Sequence, residues 1–265
     1  MQPFRTRFLR AAGLTAVLLG STLVAHAVDG VVLIDQNRAL AGNVTPGDAP
    51  GFPVTITLPG SYRLSGNLTV PDANTSAIVI AASVTGVTID LNGFTIAGPT
   101  VCGSFPIVCS PVGSGIGVSA PSGARAVTVR NGTVVGMGAN GVQLFSAANT
   151  VDNITALSNG GVGIATQLAT VTNNRAMKNG FNGILVGNSV VMHNLSVQNG
   201  GAGIGGNDSL FVNNALLVNT LVGIAAANSA FSGNQFSSNN GGFANPQFSG
   251  RGPIGPNGCD GSVCP

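Results

Sequence analysis

The sequence predicts an all-β solenoid, a single chain wound into stacked rungs of about 20–22 residues, and three observations carry that prediction. First, from Val151 onward the chain repeats itself as VDNITALSNGGVGIATQLAT, VTNNRAMKNGFNGILVGNSV, VMHNLSVQNGGAGIGGNDSL and FVNNALLVNTLVGIAAANSA, then as a degenerate FSGNQFSSNNGGFAN. Second, the 20-residue register holds two columns: Asn159, Asn179, Asn199, Asn219 and Asn239 in one, and Gly163-Ile164, Gly183-Ile184, Gly203-Ile204 and Gly223-Ile224 in the other. Third, no stretch past residue 27 sustains the i, i+3, i+4, i+7 stripe of an amphipathic helix, whereas short β-branched runs recur throughout, so helix content is expected close to nil. Units of identical spacing bury their apolar faces only by stacking on their neighbours.

In chain order the first element is a leader. Arg5, Arg7 and Arg10 precede an apolar run from Ala11 to Ala25, and Ala25-His26-Ala27 supplies a small-x-small cleavage site. Residues 1–27 therefore read as a secretory signal peptide, and the mature chain as beginning at Val28. The apolar run is shorter than the ~20 residues a spanning helix needs, and no later segment is apolar enough to span a membrane. The expected destination is secreted or periplasmic, with cell-surface association as one form of it.

Loss of the leader changes the charge balance. Seven basic residues then face eight aspartates and no glutamate, a net of 7 − 8 = −1 in place of the formal +2 of the full chain. No basic stripe remains to neutralise a phosphate backbone, which argues against nucleic acid as a partner. Charged residues make up 7% of the chain against a usual ~25%, so Asn, Ser, Thr and backbone must solvate the surface. The four cysteines fall in two close pairs, and an exported chain meets an oxidising compartment. Disulfides Cys102–Cys109 and Cys259–Cys264 are the expectation, since the spacing lacks the CxxC pattern and nearby histidine of zinc sites.

Residues 28–53 carry no periodicity, and Thr45-Pro46-Gly47-Asp48-Ala49-Pro50-Gly51 is turn chemistry, so this segment is expected to cap the open N-terminal end. Residues 54–245 read as the solenoid. Runs such as Val54 to Leu58, Ala77 to Ile80 and Val87 to Leu91 alternate apolar and polar positions as strands do. VTIDLNGFTIAG and VTVRNGTVVGMG look like earlier versions of the repeated rung, with Ile89, Val129 and Val151 equivalent. The step of 40 residues from Ile89 to Val129 then holds one rung with an excursion, a cysteine-stapled loop near residues 99–115 that protrudes from the solenoid, with Gly115-Ile116 and Gly141-Val142 resembling the repeated Gly-Ile. Residues 246–265 form a tail with the second cysteine pair.

On APGFPVTITLPGSYRLSGNLTVP, VTIDLNGFTIAGP, VTVRNGTVVG, the Asn-Gly and Gly-Ile rungs and the terminal NGCDGSVCP, the chain resembles bacterial exported proteins built of right-handed parallel β-helix repeats. That resemblance implies a right-handed parallel β-helix. It says little of activity, because the shape hosts pectin and alginate lyases, glycoside hydrolases, uronate epimerases, adhesins and proteins with no assigned role. Twenty is not a multiple of six, which separates the chain from the left-handed hexapeptide form.

Most motifs read as architecture. Asparagine tolerates left-handed backbone and bonds neighbouring amides, so the Asn159 column reads as a stacked corner. His193 falls in the column of Asn153, Asn173 and Asn213 and reads as a substitute for a corner asparagine. Gly201 to Gly206 matches GxGxxG by letter but lacks the strand before it and the helix after it that dinucleotide binding needs. Asn188, Asp208 and Asn228 share a unit position but bring one carboxylate, too few for calcium. No cofactor and no metal is expected.

One constellation carries candidate chemistry: Asp90, Arg130 and Asp152, each one residue after the equivalent Ile89, Val129 and Val151. Stacked on consecutive rungs, the two carboxylates would lie ~9–10 Å apart with the guanidinium between them. That nears the ~6.5–9.5 Å of inverting glycosidases, but the arginine favours the ionised form of both carboxylates where a general acid needs one pKa raised. A lyase or epimerase would use Arg130 to neutralise a uronate carboxylate and Arg175 or Lys178 as base. The catalytic candidates are thus Asp90, Arg130, Asp152 and Lys178. With so few titratable groups, the favoured reading is a non-catalytic exported scaffold or binding protein that contacts an extended polysaccharide or the cell surface. The alternative is a polysaccharide lyase, uronate epimerase or glycoside hydrolase acting along the solenoid face.

Overall fold

The computed structural model describes residues 30–104, 106–242, 245–250 and 253–264, so the leader read in residues 1–27 lies outside them. The chain is a right-handed parallel β-helix of triangular section, with three faces of stacked parallel strands. The first face holds nine strands, from Val54–Ile56 through Ile164–Gln167, Ile184–Gly187, Ile204–Asn207 and Ile224–Ala227 to Phe248–Ser249. The second and third faces join as one seventeen-stranded sheet, because Arg125–Val135 and Asn149–Leu157 run through the corner between them without a break. Second-face strands include Gly60–Leu64, Thr85–Asp90, Ala169–Thr172 and Val190–Met192; third-face strands include Thr95–Ala97, Arg175–Met177 and Leu195–Val197.

Each face sends alternate residues inward, as the two-residue period of a strand requires. Ile164, Ile184, Ile204 and Ile224 stack in register and are fully buried. The second face contributes Ile89, Val129, Val151, Val171, Val191, Phe211 and Phe231, all fully buried too. The rung equivalence read from sequence holds: Val129 pairs with Ile89 on one side and Val151 on the other, so the 40-residue step is a single rung. The excursion's return differs from the expectation. Gly117-Val118, rather than Gly115-Ile116, aligns with Gly141-Val142, placing Val118 in the core.

The corners explain the loud columns. At each corner one residue turns through positive φ and the next points its side chain inward. In the asparagine column the turning residues are Ser158, Lys178, Gln198, Val218 and Ser238, with φ of 51° to 54°; the asparagines themselves follow them. This corrects the expectation that the asparagines hold the left-handed position. They are instead a buried ladder. Asn179 accepts the backbone N–H of Asn159 at 3.1 Å and its Nδ2 at 2.9 Å, and the pattern repeats down to Asn239, where Gln247 takes the next place. A second ladder, Asn174, Asn194, Asn214, Asn234 and Asn257, fills the corner between the second and third faces. Buried N–H groups that no strand can pair are thereby satisfied. The repeated glycine follows from the same packing: a Cβ on Gly163 would lie 2.6 Å from Nδ2 of Asn179.

Both ends are closed. Val31–Ile34 adds a strand above Gly60–Leu64, and Gln36 bonds both the N–H and the carbonyl of Thr69, covering the first edge of the third face. Asp48 accepts from the N–H of Thr55 at 2.7 Å and so covers the first face. Helix content is close to nil as expected: among the described residues Gln36–Ala41 alone is helical, N-capped by Asp35, and buries Ala39. At the other end Ser262–Val263 folds back antiparallel on Gly258–Cys259. Both disulfides form as expected, Cys102–Cys109 and Cys259–Cys264. The first does not staple a protruding loop. Its sulfurs lie 3.7 and 3.8 Å from the Asn159 carbonyl, so the excursion lies down over the corner between the third and first faces. Among the described residues no helix is long and apolar enough to cross a membrane.

Candidate functional site

The corner between the second and third faces is where polar side chains collect. On the second face two outward columns run side by side. One stacks Thr88, Thr128, Thr150 and Thr170, and the other stacks Arg63, Asp90, Arg130, Asp152 and Thr172. Across the corner the third face stacks Thr95, Thr133, Thr155 and Arg175. Between them the chain turns at Asn92, Asn131, Asn153, Asn173 and His193, with φ of 52° to 60°. Asparagine is the L-residue that best tolerates this backbone, and the turn leaves its amide facing outward. His193 therefore stands in a corner-asparagine position, as its register implied, and it is exposed.

An open groove of about 450 Å³ runs along this corner, lined by Asp90, Asn92, Asn131, Thr133, Asn153 and Thr155. A second groove of about 560 Å³ continues it on the later rungs, lined by Asn173, Arg175, His193 and Asn213. No loop among the described residues covers either one.

The charge column has the register expected, with an unequal distribution of partners. Arg130 Nη2 lies 3.1 Å from Asp90 Oδ2 and its Nε donates to the same oxygen at 3.2 Å. Asp90 Oδ1 accepts from the backbone N–H of Asn92 at 2.9 Å and from Asn131 Nδ2 at 3.2 Å. Asp90 is buried, while Arg130 remains 44% exposed. Asp152 accepts from Asn173 Nδ2 at 3.0 Å. Both carboxylates thus accept hydrogen bonds from protein donors, which suits anchoring.

Of the four catalytic candidates, the structure brings Asp90, Arg130 and Asp152 into one column and puts Lys178 elsewhere. Lys178 is a left-handed residue at the corner between the third and first faces, in line with Ser158 and Gln198. One member of the polar strip was absent from the sequence expectations. Arg63 extends the charge column by one rung, a placement available from matching Tyr62-Arg63-Leu64 to Ile89-Asp90-Leu91. Arg175 and His193 share the second groove, a meeting that needs the corner geometry. Beside the strip, burial raises the pKa of Tyr62 above the ordinary phenol value of 10.0, and its hydroxyl donates to the Leu58 carbonyl at 2.8 Å.

No protein-family model and no curated protein matches the sequence. Solved structures do. The chain is similar to the enzymatically active domain of tailspike protein 2 of bacteriophage CBA120, with a TM-score of 0.59 at 14% identity over 77% of this chain and 37% of that one. It is also similar to the periplasmic alginate epimerase AlgG, with a TM-score of 0.52 at 14% identity over 86% of this chain and 65% of that one. The likeness is one of fold. The chain spans little more than a third of the tailspike domain and just under two thirds of the epimerase.

Proposed function

We propose that this chain is an exported β-helix that holds an extended polysaccharide along the corner between its second and third faces without turning it over. The carrying observation is the open groove floored by stacked amides and hydroxyls, with Asp90 in its lining and both Asp90 and Asp152 already engaged by protein donors. Hydroxyl and amide side chains at fixed spacing offer both donors and acceptors to sugar hydroxyls. A rigid solenoid repeats that offer without an ordering cost at binding. One of the similar folds belongs to an alginate epimerase, whose name places it on a polysaccharide, which supports the same class of ligand. Export rests on the leader in residues 1–27 and agrees with two disulfides.

A glycan-array and polymer-binding screen on the mature chain tests the reading, beside an ultraviolet assay for unsaturated products. Binding without turnover, weakened by Thr133→Val and Thr155→Val at unchanged melting temperature, is the expected result. These isosteric changes keep strand preference while removing the groove's hydroxyls. Turnover would favour a second reading, chemistry on a uronate polymer at the Arg175 and His193 groove, which the meeting of those two side chains supports.

A further inference from the structure

Resting on that glycan-binding reading, we infer that the polymer is anionic and carries its acidic group on every second sugar. The charges on the strip alternate by rung. Arg63, Asp90, Arg130 and Asp152 occupy four successive rungs of one column, and Arg175 stands on the fifth, across the corner. Guanidinium groups therefore recur every second rung, ~9.6 Å apart, and carboxylates fill the rungs between them. One sugar of an extended pyranose chain spans about one rung, ~4.8 Å. A polymer laid along the corner would then meet a cation at alternate sugars and an aspartate at the others.

The two signs are not equally available to a ligand. Asp90 is held by Arg130, Asn92 and Asn131, and Asp152 by Asn173. Among the described residues Arg63 makes no ion pair and its Nε is buried without a hydrogen-bond partner. Arg175, exposed, makes no ion pair there either. With no carboxylate paired to it, the Arg63 guanidinium keeps its charge to attract an oxyanion. The aspartates act in the opposite sense. An acidic sugar beside Asp90 or Asp152 meets a like charge, so a polymer acidic at every residue is disfavoured against one acidic at every second residue. Asn131, Asn153 and Thr155 remain to hold neutral sugars through hydroxyls.

The test measures equilibrium binding of the mature chain to three decasaccharides: hyaluronan, acidic at alternate sugars; polygalacturonate, acidic at each; and a neutral chitin fragment. Hyaluronan should bind tightest, and its affinity should fall as salt is raised. Arg175→Gln and Arg63→Gln should each weaken it about three- to fivefold, the worth of one exposed ion pair, and leave the chitin fragment unaffected. Arg125→Gln, on the second face away from the corner, should change nothing. Asp152→Asn should bring polygalacturonate closer to hyaluronan. Melting temperatures accompany each variant, and Arg175, being exposed, reports even if Arg63→Gln folds poorly. Polygalacturonate binding as tightly as hyaluronan, or Arg175→Gln without effect, overturns the alternation. If the chitin fragment binds as tightly as hyaluronan, the inference falls and the glycan-binding reading stands; if no polymer binds, both fall.

Discussion

The early rungs and the late rungs share one fold and use opposite surfaces of it. From Thr88 to Thr172 the outward columns of the second face are threonine, aspartate and arginine. From Val190 onward the same columns become Val190 and Leu210, and Met192 and Val212. On the third face Thr133 and Thr155 give way to Leu195 and Ala215. The interior changes in the other direction. The late rungs stack asparagine at two corners, whereas the early rungs put Met137 and Ile154 where those ladders begin. Strict repetition thus serves the inside of the molecule, where each coil must fit the next, and chemical variety on the outside sits where repetition is weakest.

The largest effects should come from the regular interior. Ile184→Asp places an unpaired charge in a fully buried column and should cost about 4 kcal/mol, read by urea denaturation. A variant that melts like the wild type would mean that the late rungs are not the packed half. Asn199→Ala strips the acceptor from the backbone N–H of Asn179 and should cost about 3 kcal/mol. Its outward counterpart, Asn153→Gly, keeps the left-handed backbone and loses an exposed amide with its 3.2 Å bond to Asn131 Oδ1, so its stability should move far less. Equal losses in the two variants would erase the distinction between interior and surface asparagines.

Smaller effects sharpen the comparison on the early rungs. Arg130→Ala should lower stability by about 1 kcal/mol or less, because the pair is partly exposed and Asp90 keeps its contacts to Asn92 and Asn131. Added salt should shrink that difference; a loss of several kcal/mol would make the column a support rather than a surface. The gentlest test is alkaline titration of Tyr62. Burial raises its folded-state pKa above the unfolded value, so its contribution is fully present below pH 10.0 and is lost as pH rises through the folded pKa. Tyr62→Phe should flatten that part of the stability profile.

The same division decides what could be read from sequence. The solenoid was legible because Gly163-Ile164 and its successors recur at a fixed step, and stacking is the one way such units bury themselves. Asp90, Arg130 and Asp152 were legible as a column because each follows an equivalent buried residue. Arg63 was harder to place, legible only by matching Tyr62-Arg63-Leu64 to Ile89-Asp90-Leu91, since Pro59-Gly60 interrupts the run before it and no 20-residue repeat marks its rung. Lys178 was a candidate on the condition that it reach the face of Arg130, and the linear pattern does not say on which of three corners a residue turns. The misplaced Gly115-Ile116 has a similar cause: an excursion may return at any glycine, and only the fit of Val118 to the core selects one.

Gln247 ends one of the two asparagine ladders. It accepts the N–H of Asn239 as another asparagine would, but its longer side chain arrives from a chain already leaving the 20-residue step, and it donates back to the carbonyls of Asn239, Gly242 and Asn245. The ladder takes no further asparagine on an amide spent in this way. A duplicated unit spliced between Asn199 and Asn219 would meet the same neighbours on both sides, so the protein is extensible in its middle. Growth by whole coils would lengthen the solenoid while leaving the polar corner of the early rungs as it is.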